Sequence, residues 1–306
     1  MPELKQPNWE KRKDVPKQSH TNADPPKDCK CGVEDLRAEA AEIKPTFDAI
    51  FDYLQKLCEP STDPIPQQKK ATDDRGAFIW AGGIVGGRHV LTTVEVSPTS
   101  KASNKGAFRI AQKCFTKYKN LAEKSGISPL AYINDVVRAT MAFNNCTRII
   151  KALEKIEEYS GRDLDIKTTG GAPKYAIVRV KQIYSPRSPL LYGDIKLNLR
   201  VTNEANPNGH NCELQLNLVS MLKGKGTHDG HGAYEDWRRL EDDHWLNEGT
   251  ALPPELKNQG QKYQARAERI VFASQHAYLA GAIQLDKDGD YKNLLAMVEK
   301  MSKGLG

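Results

Sequence analysis

The chain has 306 residues, 39% of them apolar, with a mean hydropathy of −0.63 and a net charge of +6. It is long enough to bury a substantial core, and no run approaches the ~20 apolar residues needed to span a bilayer, so a spanning helix is excluded. The modest positive balance admits anionic partners without demanding nucleic acid.

Residues 1 to 32 hold several Lys, Asp and Pro and almost no large aliphatics, a composition that cannot bury enough surface to order itself. They read as a flexible arm without a hydrophobic signal segment, so a cytoplasmic site of action is the expectation. Val33 to Cys58 has helical spacing (Leu36, Ala40, Ile43, Phe47, Ile50, Leu54), with a break or kink expected at Pro45. Glu59 to Arg75 is polar and Pro-containing and reads as a linker. Residues 1–75 are therefore expected to be an arm with an accessory helix, available to a protein partner. Residues 76–250 form the main domain and 251–306 a helical extension.

Ala77 to Val96, with Gly82-Gly83 and Gly86-Gly87, predicts two short strands around a glycine turn. No Gly-Lys-Ser/Thr follows, so these glycines are not a phosphate loop. Ser103 to Lys124 predicts a helix that puts Lys105, Arg109 and Lys113 on one face at i, i+4 spacing. Like charges so placed repel by ~0.2–0.5 kcal/mol per pair. Two readings remain open, a solvated basic face and a face whose cations are bridged by phosphate oxygens.

Tyr132 to Phe143 predicts a buried strand with Asp135 at its mouth and Arg138 within it, followed by an amphipathic helix over Thr147 to Tyr159 and a strand over Tyr175 to Val180. Ile195 to Val201 and Glu213 to Val219 alternate polar and apolar residues and should pair as a hairpin across an Asn-, Pro- and Gly-rich turn. Their aliphatic sets point inward, so Asp194, Lys196, Asn198, Glu213, Gln215 and Asn217 share the other face. Such a face can simply be wet. However, Lys223, Lys225, His228, His231, Tyr234 and Arg238 crowd in directly after the second strand, which points to an anion pocket.

A last helix is predicted over Tyr263 to Ala282, with Arg266, Arg269 and His276 on a solvated face. Asp286-Lys287-Asp288-Gly289-Asp290 lacks the spacing of a calcium loop and reads as a turn. His228, His231 and His244 lack a zinc consensus, and the six cysteines contain no Cys-x-x-Cys pair, so reduced thiols are expected. Strand, helix, strand and hairpin together predict an α+β fold, a mixed and mainly antiparallel sheet flanked by helices.

Five short stretches occur in an order that carries a resemblance: Lys105-Gly106-Ala107-Phe108-Arg109 to Lys113, Asn134-Asp135-Val136-Val137-Arg138, Tyr192-Gly193-Asp194-Ile195-Lys196-Leu197-Asn198, Glu213-Leu214-Gln215-Leu216, and His231-Gly232-Ala233-Tyr234. Over residues 100 to 240 the chain resembles divergent RelA/SpoT-type nucleotide pyrophosphokinase domains, whose synthetase fold is nucleotidyltransferase-like. The resemblance implies Mg2+-dependent transfer of the β,γ-pyrophosphate of ATP to the 3′-hydroxyl of a second nucleotide. It assigns the ATP phosphates to Lys105, Arg109, Lys113 and Arg138. Magnesium falls to Asp135 and Glu213, with Glu213 also receiving the hydroxyl proton. The acceptor falls to Tyr192, by base stacking, with Lys196, Asn198, Gln215 and His231 nearby.

The chemistry agrees, because alcohol attack on a phosphoryl group needs a metal and cations to spread charge, and a carboxylate for the proton. In this chain Leu191-Tyr192-Gly193-Asp194 stands where the alarmone enzymes have Gly-Tyr-Arg-Ser, and Lys196 or Asn198 replaces their histidine. The acceptor therefore stays open among GDP or GTP, ADP or ATP, and an RNA 3′ end, the last as implied for toxin-type relatives. A catalytically silent nucleotide- or RNA-binding module is the alternative.

Overall fold

The computed structural model describes residues 32–68, 70–72, 78–80, 82–85, 88–91, 93–116, 118–182, 184, 191–226 and 257–305. Val33–Cys58 is one helix, α1, and it continues through Pro45. Its stripe of Leu36, Ala40, Ile43, Phe47, Ile50 and Leu54 is buried along its whole length, and that continuous contact outweighs the ~3 kcal/mol that an interior proline costs. The chain leaves the helix through Glu59, whose φ of 46° is left-handed.

An excursion of short strands follows in place of the expected linker. Strand β1 (Ile65–Gln68) pairs antiparallel with β6 (Thr93–Val96), β2 (Lys70–Thr72) with β3 (Phe78–Trp80), and β4 (Gly82–Val85) with β5 (Arg88–Leu91). The glycine-rich segment thus carries more strands than the two that its turn signals predicted. Ile65 anchors the base of the excursion against Ala142, Val219 and Leu222.

The central sheet contains β7 (Ser100–Lys101), β8 (Arg138–Phe143), β9 (Lys174–Gln182), β10 (Ile195–Thr202) and β11 (His210–Leu218), in the order β7-β8-β11-β10-β9. Strands β8 and β11 are parallel and the other neighbours antiparallel, so the sheet is mixed and mainly antiparallel, as the sequence predicted. The predicted hairpin is β10–β11, with Leu197 opposite Leu214 and Asn198 opposite Glu213.

Strand β8 is shorter than the Tyr132 to Phe143 stretch that its apolar run suggested. Pro129–Tyr132 is a 3-10 turn, with Ser128 accepting from Leu130 N. Beyond it the backbone is taken by the incoming loop, since Lys105 N donates to Val136 O (3.0 Å) and Ala102 N to Arg138 O (3.1 Å).

The remaining helices are α2 (Ala107–Thr116), α3 (Lys119–Ser125), α4 (Cys146–Tyr159), α5 (Val219–Gly226), α6 (Lys257–Lys287) and α7 (Tyr291–Lys303). The aliphatic face of the sheet, from Met141 to Leu197 and Leu216, shares one core with Phe47 of α1, Leu153 of α4 and Leu294 of α7. Each such side chain contributes roughly 1.5–3 kcal/mol of burial. The acidic turn at Asp288–Asp290 seats the start of α4. Asp288 Oδ2 accepts from Cys146 N at 2.7 Å, and Asp290 takes the Thr147 hydroxyl, meeting donors that a helix N-terminus leaves unpaired. With one face covered, the polar face of the sheet carries what chemistry there is.

Candidate active site

Register fixes the polar face row by row. Arg179 of β9, Asn198 of β10, Glu213 of β11 and Arg138 of β8 lie side by side, and the next row runs Lys181, Lys196, Gln215, Thr140. Within these rows Gln215 Nε2 donates to Glu213 Oε1 at 2.6 Å. Glu213 is also tied to the mouth of β8 by its backbone, with Glu213 N donating to Val137 O at 2.9 Å.

Asp135 precedes that junction and is gripped by two cations. Lys113 Nζ lies 2.5 Å from Asp135 Oδ2, and Lys105 Nζ pairs with the same oxygen. Burial alone would raise the Asp135 carboxyl, but Lys113 and Lys105 together hold it well below the usual carboxylate range. Burial lowers Lys105 to about 7 against the pull of Asp135. For Lys113, burial works the same way but Asp135 prevails and the ammonium is held up.

Lys105 does not sit on the helix that its spacing predicted. Helix α2 starts at Ala107, so Lys105 comes from the loop before it, and Arg109 turns to Gln112 within the helix. The like-charge stripe is therefore resolved by a buried carboxylate between two of its members. No bridging anion is needed to explain it.

A second charged cluster forms where β10 begins. Leu191 enters it with a left-handed φ of 59°, a conformation that costs a side-chain-bearing residue about 1–2 kcal/mol. Tyr192 follows, its hydroxyl shared between Asp194 Oδ2 (3.1 Å) and Asn217 Oδ1 (3.3 Å). Asp194 is 1% exposed and Lys196 Nζ lies 3.5 Å from its Oδ2.

Burial pushes the Asp194 carboxyl up, an effect opposed by Lys196 and reinforced by the charge of Glu213. Burial likewise lowers Lys225, which Asp194 counteracts and which also feels Arg138, Lys196 and Glu213. These groups share one local field.

The ring of Tyr192 is covered. Tyr278 of α6 packs with its centroid 5.3 Å away and Lys225 Nζ stands 5.9 Å from the ring centre. The approach is close because Gly224 of α5 has no side chain; a Cβ there would meet Ala277 O at 2.5 Å.

The structure thus brings Lys105, Lys113 and Asp135 together, and Glu213, Gln215, Arg138 and Asn198 onto adjacent positions of the sheet. Asn198 is 6% exposed and its amide donates to Asn134 O at 3.4 Å, so it is part of the scaffold of this face. His231 lies outside the described residues, as do His228, Tyr234, Arg238 and His244.

Sequence reading put Asp194 on the polar face and Lys225 by an anion pocket but gave neither a specific role, and it missed Tyr278. Asp194 had a signal, being an acid on the same parity as Lys196 and Glu213. Tyr278 had none, since contact between α6 and the chain ahead of β10 is not local. Burial pushes the thiols of Cys58 and Cys146 up to about 12 and that of Cys114 to about 11, which leaves them unreactive.

Carboxylate oxygens are the donors a hard divalent cation takes, and Mg2+ uses one or two of them plus substrate oxygens. Asp135 offers one between Lys105 and Lys113, and Glu213 offers another in the field of Asp194 and Lys225. Among the described residues no cluster of three or more acids, histidines or cysteines forms a self-contained metal cage. No helix among them is long and apolar enough to cross a membrane.

No protein-family model and no curated protein matches the chain. Among solved structures it is similar to the small alarmone synthetase 2 of Bacillus subtilis, at 13% identity over 79% of this chain and 94% of that one, with a TM-score of 0.31. A GTP pyrophosphokinase family protein from Streptococcus pneumoniae gives 11%, 86%, 94% and 0.35. The small alarmone synthetase 1 of Bacillus subtilis bound to its product pppGpp gives 14%, 62%, 82% and 0.28. These TM-scores are low, and the chemistry of the site rests on this chain's own residues.

Proposed function

We propose that the protein is a Mg2+-dependent pyrophosphokinase that moves the β,γ-pyrophosphate of ATP to the 3′-hydroxyl of an acceptor nucleotide or RNA 3′ end. The observation that supports this reading most is the convergence of Lys105 and Lys113 on Asp135, two residues ahead of the backbone junction of Val137 with Glu213. Two ammonium groups and a carboxylate held together in the free protein are the parts needed to receive a metal-bound polyphosphate.

On binding ATP, Lys105 and Lys113 turn to the phosphate oxygens, which replaces one anionic partner by another, and Arg109 exchanges the Gln112 amide for the same phosphates. That exchange frees the Asp135 carboxylate, which with Glu213 would hold Mg2+. The ion, when bound, neutralises charge on the phosphates. Glu213 accepts the proton of the 3′-hydroxyl, the oxygen bonds to the β-phosphorus, and the bond from that phosphorus to the α-phosphate oxygen breaks, releasing AMP. Arg138 stands next to Glu213 to spread the developing charge.

The test is incubation of purified protein with ATP, Mg2+ and a panel of GDP, GTP, ADP and tRNA, with products read by mass spectrometry. A pyrophosphorylated acceptor and AMP in equal amount are expected, and both should vanish in Glu213→Gln. The absence of product with every acceptor contradicts the reading.

One observation favours a second reading, a nucleotide- or RNA-binding module without catalysis: Tyr278 already covers the ring of Tyr192. Binding that persists without Mg2+ and is indifferent to Glu213→Gln distinguishes this module from the enzyme.

A further inference from the structure

We infer that Asp194 is a positioning residue of the acceptor site, anchoring the hydroxyl of Tyr192 and the ammonium of Lys196 where they meet the acceptor once Tyr278 leaves the ring. The inference rests on the reading above, in which Tyr192 and Lys196 face the acceptor.

Its basis is geometric. One oxygen of Asp194, Oδ2, takes both the Tyr192 hydroxyl at 3.1 Å and the Lys196 ammonium at 3.5 Å. A single carboxylate therefore fixes two side chains that flank it in the chain, Tyr192 ahead of β10 and Lys196 within it. Tyr192 has two polar anchors and Asp194 is the charged one, the other being the Asn217 amide at 3.3 Å.

The rest of the environment does not suit a structural carboxylate. Asp194 is 1% exposed, and its second oxygen, Oδ1, has no hydrogen-bond partner among the described residues; neither has the adjacent Asn217 Nδ2. Buried polar atoms are nearly always paired, and each exception asks for an explanation. Glu213 adds a like charge to the same field. An amide at position 194 would keep an acceptor for the tyrosine hydroxyl and remove the buried charge, so stability alone favours Asn. What Asn could not supply is the charge that pairs with the Lys196 ammonium. A charge retained at a cost to folding fits a residue held for function.

Asp194→Asn separates the roles, because they predict opposite signs. If Asp194 positions the acceptor groups, the variant melts higher than the parent at neutral pH. Its KM for the acceptor rises about tenfold, the size of one charge-assisted hydrogen bond, while its KM for ATP is unchanged. Tyr192→Phe should also raise the acceptor KM in the parent but add little in the Asp194→Asn background, since coupled groups are not additive.

A lower melting point with both KM values disturbed makes Asp194 structural and overturns the inference, as does an unchanged acceptor KM. If the parent transfers nothing, both proteins are titrated with GDP and with tRNA in the absence of ATP. Weaker binding by Asp194→Asn supports the positioning role although the transfer reading has failed, and equal binding overturns it. No binding by either protein overturns both.

Discussion

The ring of Tyr278 lies 5.3 Å from that of Tyr192, so helix α6 already covers the ring on which the proposed function has an acceptor base stack. Tyr278 is 2% exposed, and its replacement by Ala should cost on the order of 3–5 kcal/mol of stability, as for other buried aromatic rings. Tyr278→Ala should nevertheless bind acceptor more tightly, because a base would no longer displace a seated ring. Calorimetric titration of parent and variant with GDP and tRNA measures it, and equal or weaker binding by the variant removes Tyr278 as a competitor.

Asp135 answers two cations, so its removal leaves both without their buried partner. Asp135→Asn should destabilise the fold by about 3 kcal/mol, the scale for breaking a buried pair on one side. Lys113→Met combined with Asp135→Asn should recover part of that loss. Urea midpoints of the parent, the two single variants and the double variant give the answer; additive losses would mean that the pair is not coupled.

Lys105 makes stability depend on pH in a defined direction. Its folded value, about 7, lies below its ordinary value of 10.5, so the unfolded chain binds the proton more readily between the two. Stability should therefore rise with pH from about 7 towards 10.5 and be lost as pH falls through 7. Lys113 is shifted the other way, so its loss lies above that window. Denaturant midpoints across pH 6 to 10 should show a slope that Lys105→Met flattens. An unchanged slope in that variant would mean that another group sets it.

The start of α4 depends on a distant carboxylate, since Asp288 Oδ2 accepts from Cys146 N at 2.7 Å. Asp288→Ala should cost about 1 kcal/mol, as loss of a helix cap does, with no change in nucleotide binding. A thermal melt alongside a titration checks both halves.

Much of this arrangement is legible in the sequence. Alternation alone places Lys196, Asn198, Glu213 and Gln215 on one face and pairs β10 with β11, because period and turn chemistry are local. The apolar stripe of Val33–Cys58 is also plain, although Pro45 suggested a break or kink where the helix in fact runs on. What the sequence leaves open is long-range. Nothing local says that β8 inserts parallel beside β11, which puts Arg138 against Glu213. Nor does spacing reveal that Lys105 falls before the helix and folds back on Asp135, because the charged stripe looks the same either way. The apolar run from Tyr132 suggested a longer strand, yet Pro129 and the loop from Ala102 claim its first half. Tyr278 becomes visible only once α6 is seen against Tyr192, ahead of β10.

Mass spectrometry of products from parent and Glu213→Gln, each incubated with ATP labelled in the β-phosphate, Mg2+ and the acceptor panel, tests the central claim most directly. The account predicts label on the 3′-oxygen of one acceptor, AMP in equal amount, and neither with Glu213→Gln. Label that stays in ATP, or ADP in place of AMP, contradicts it.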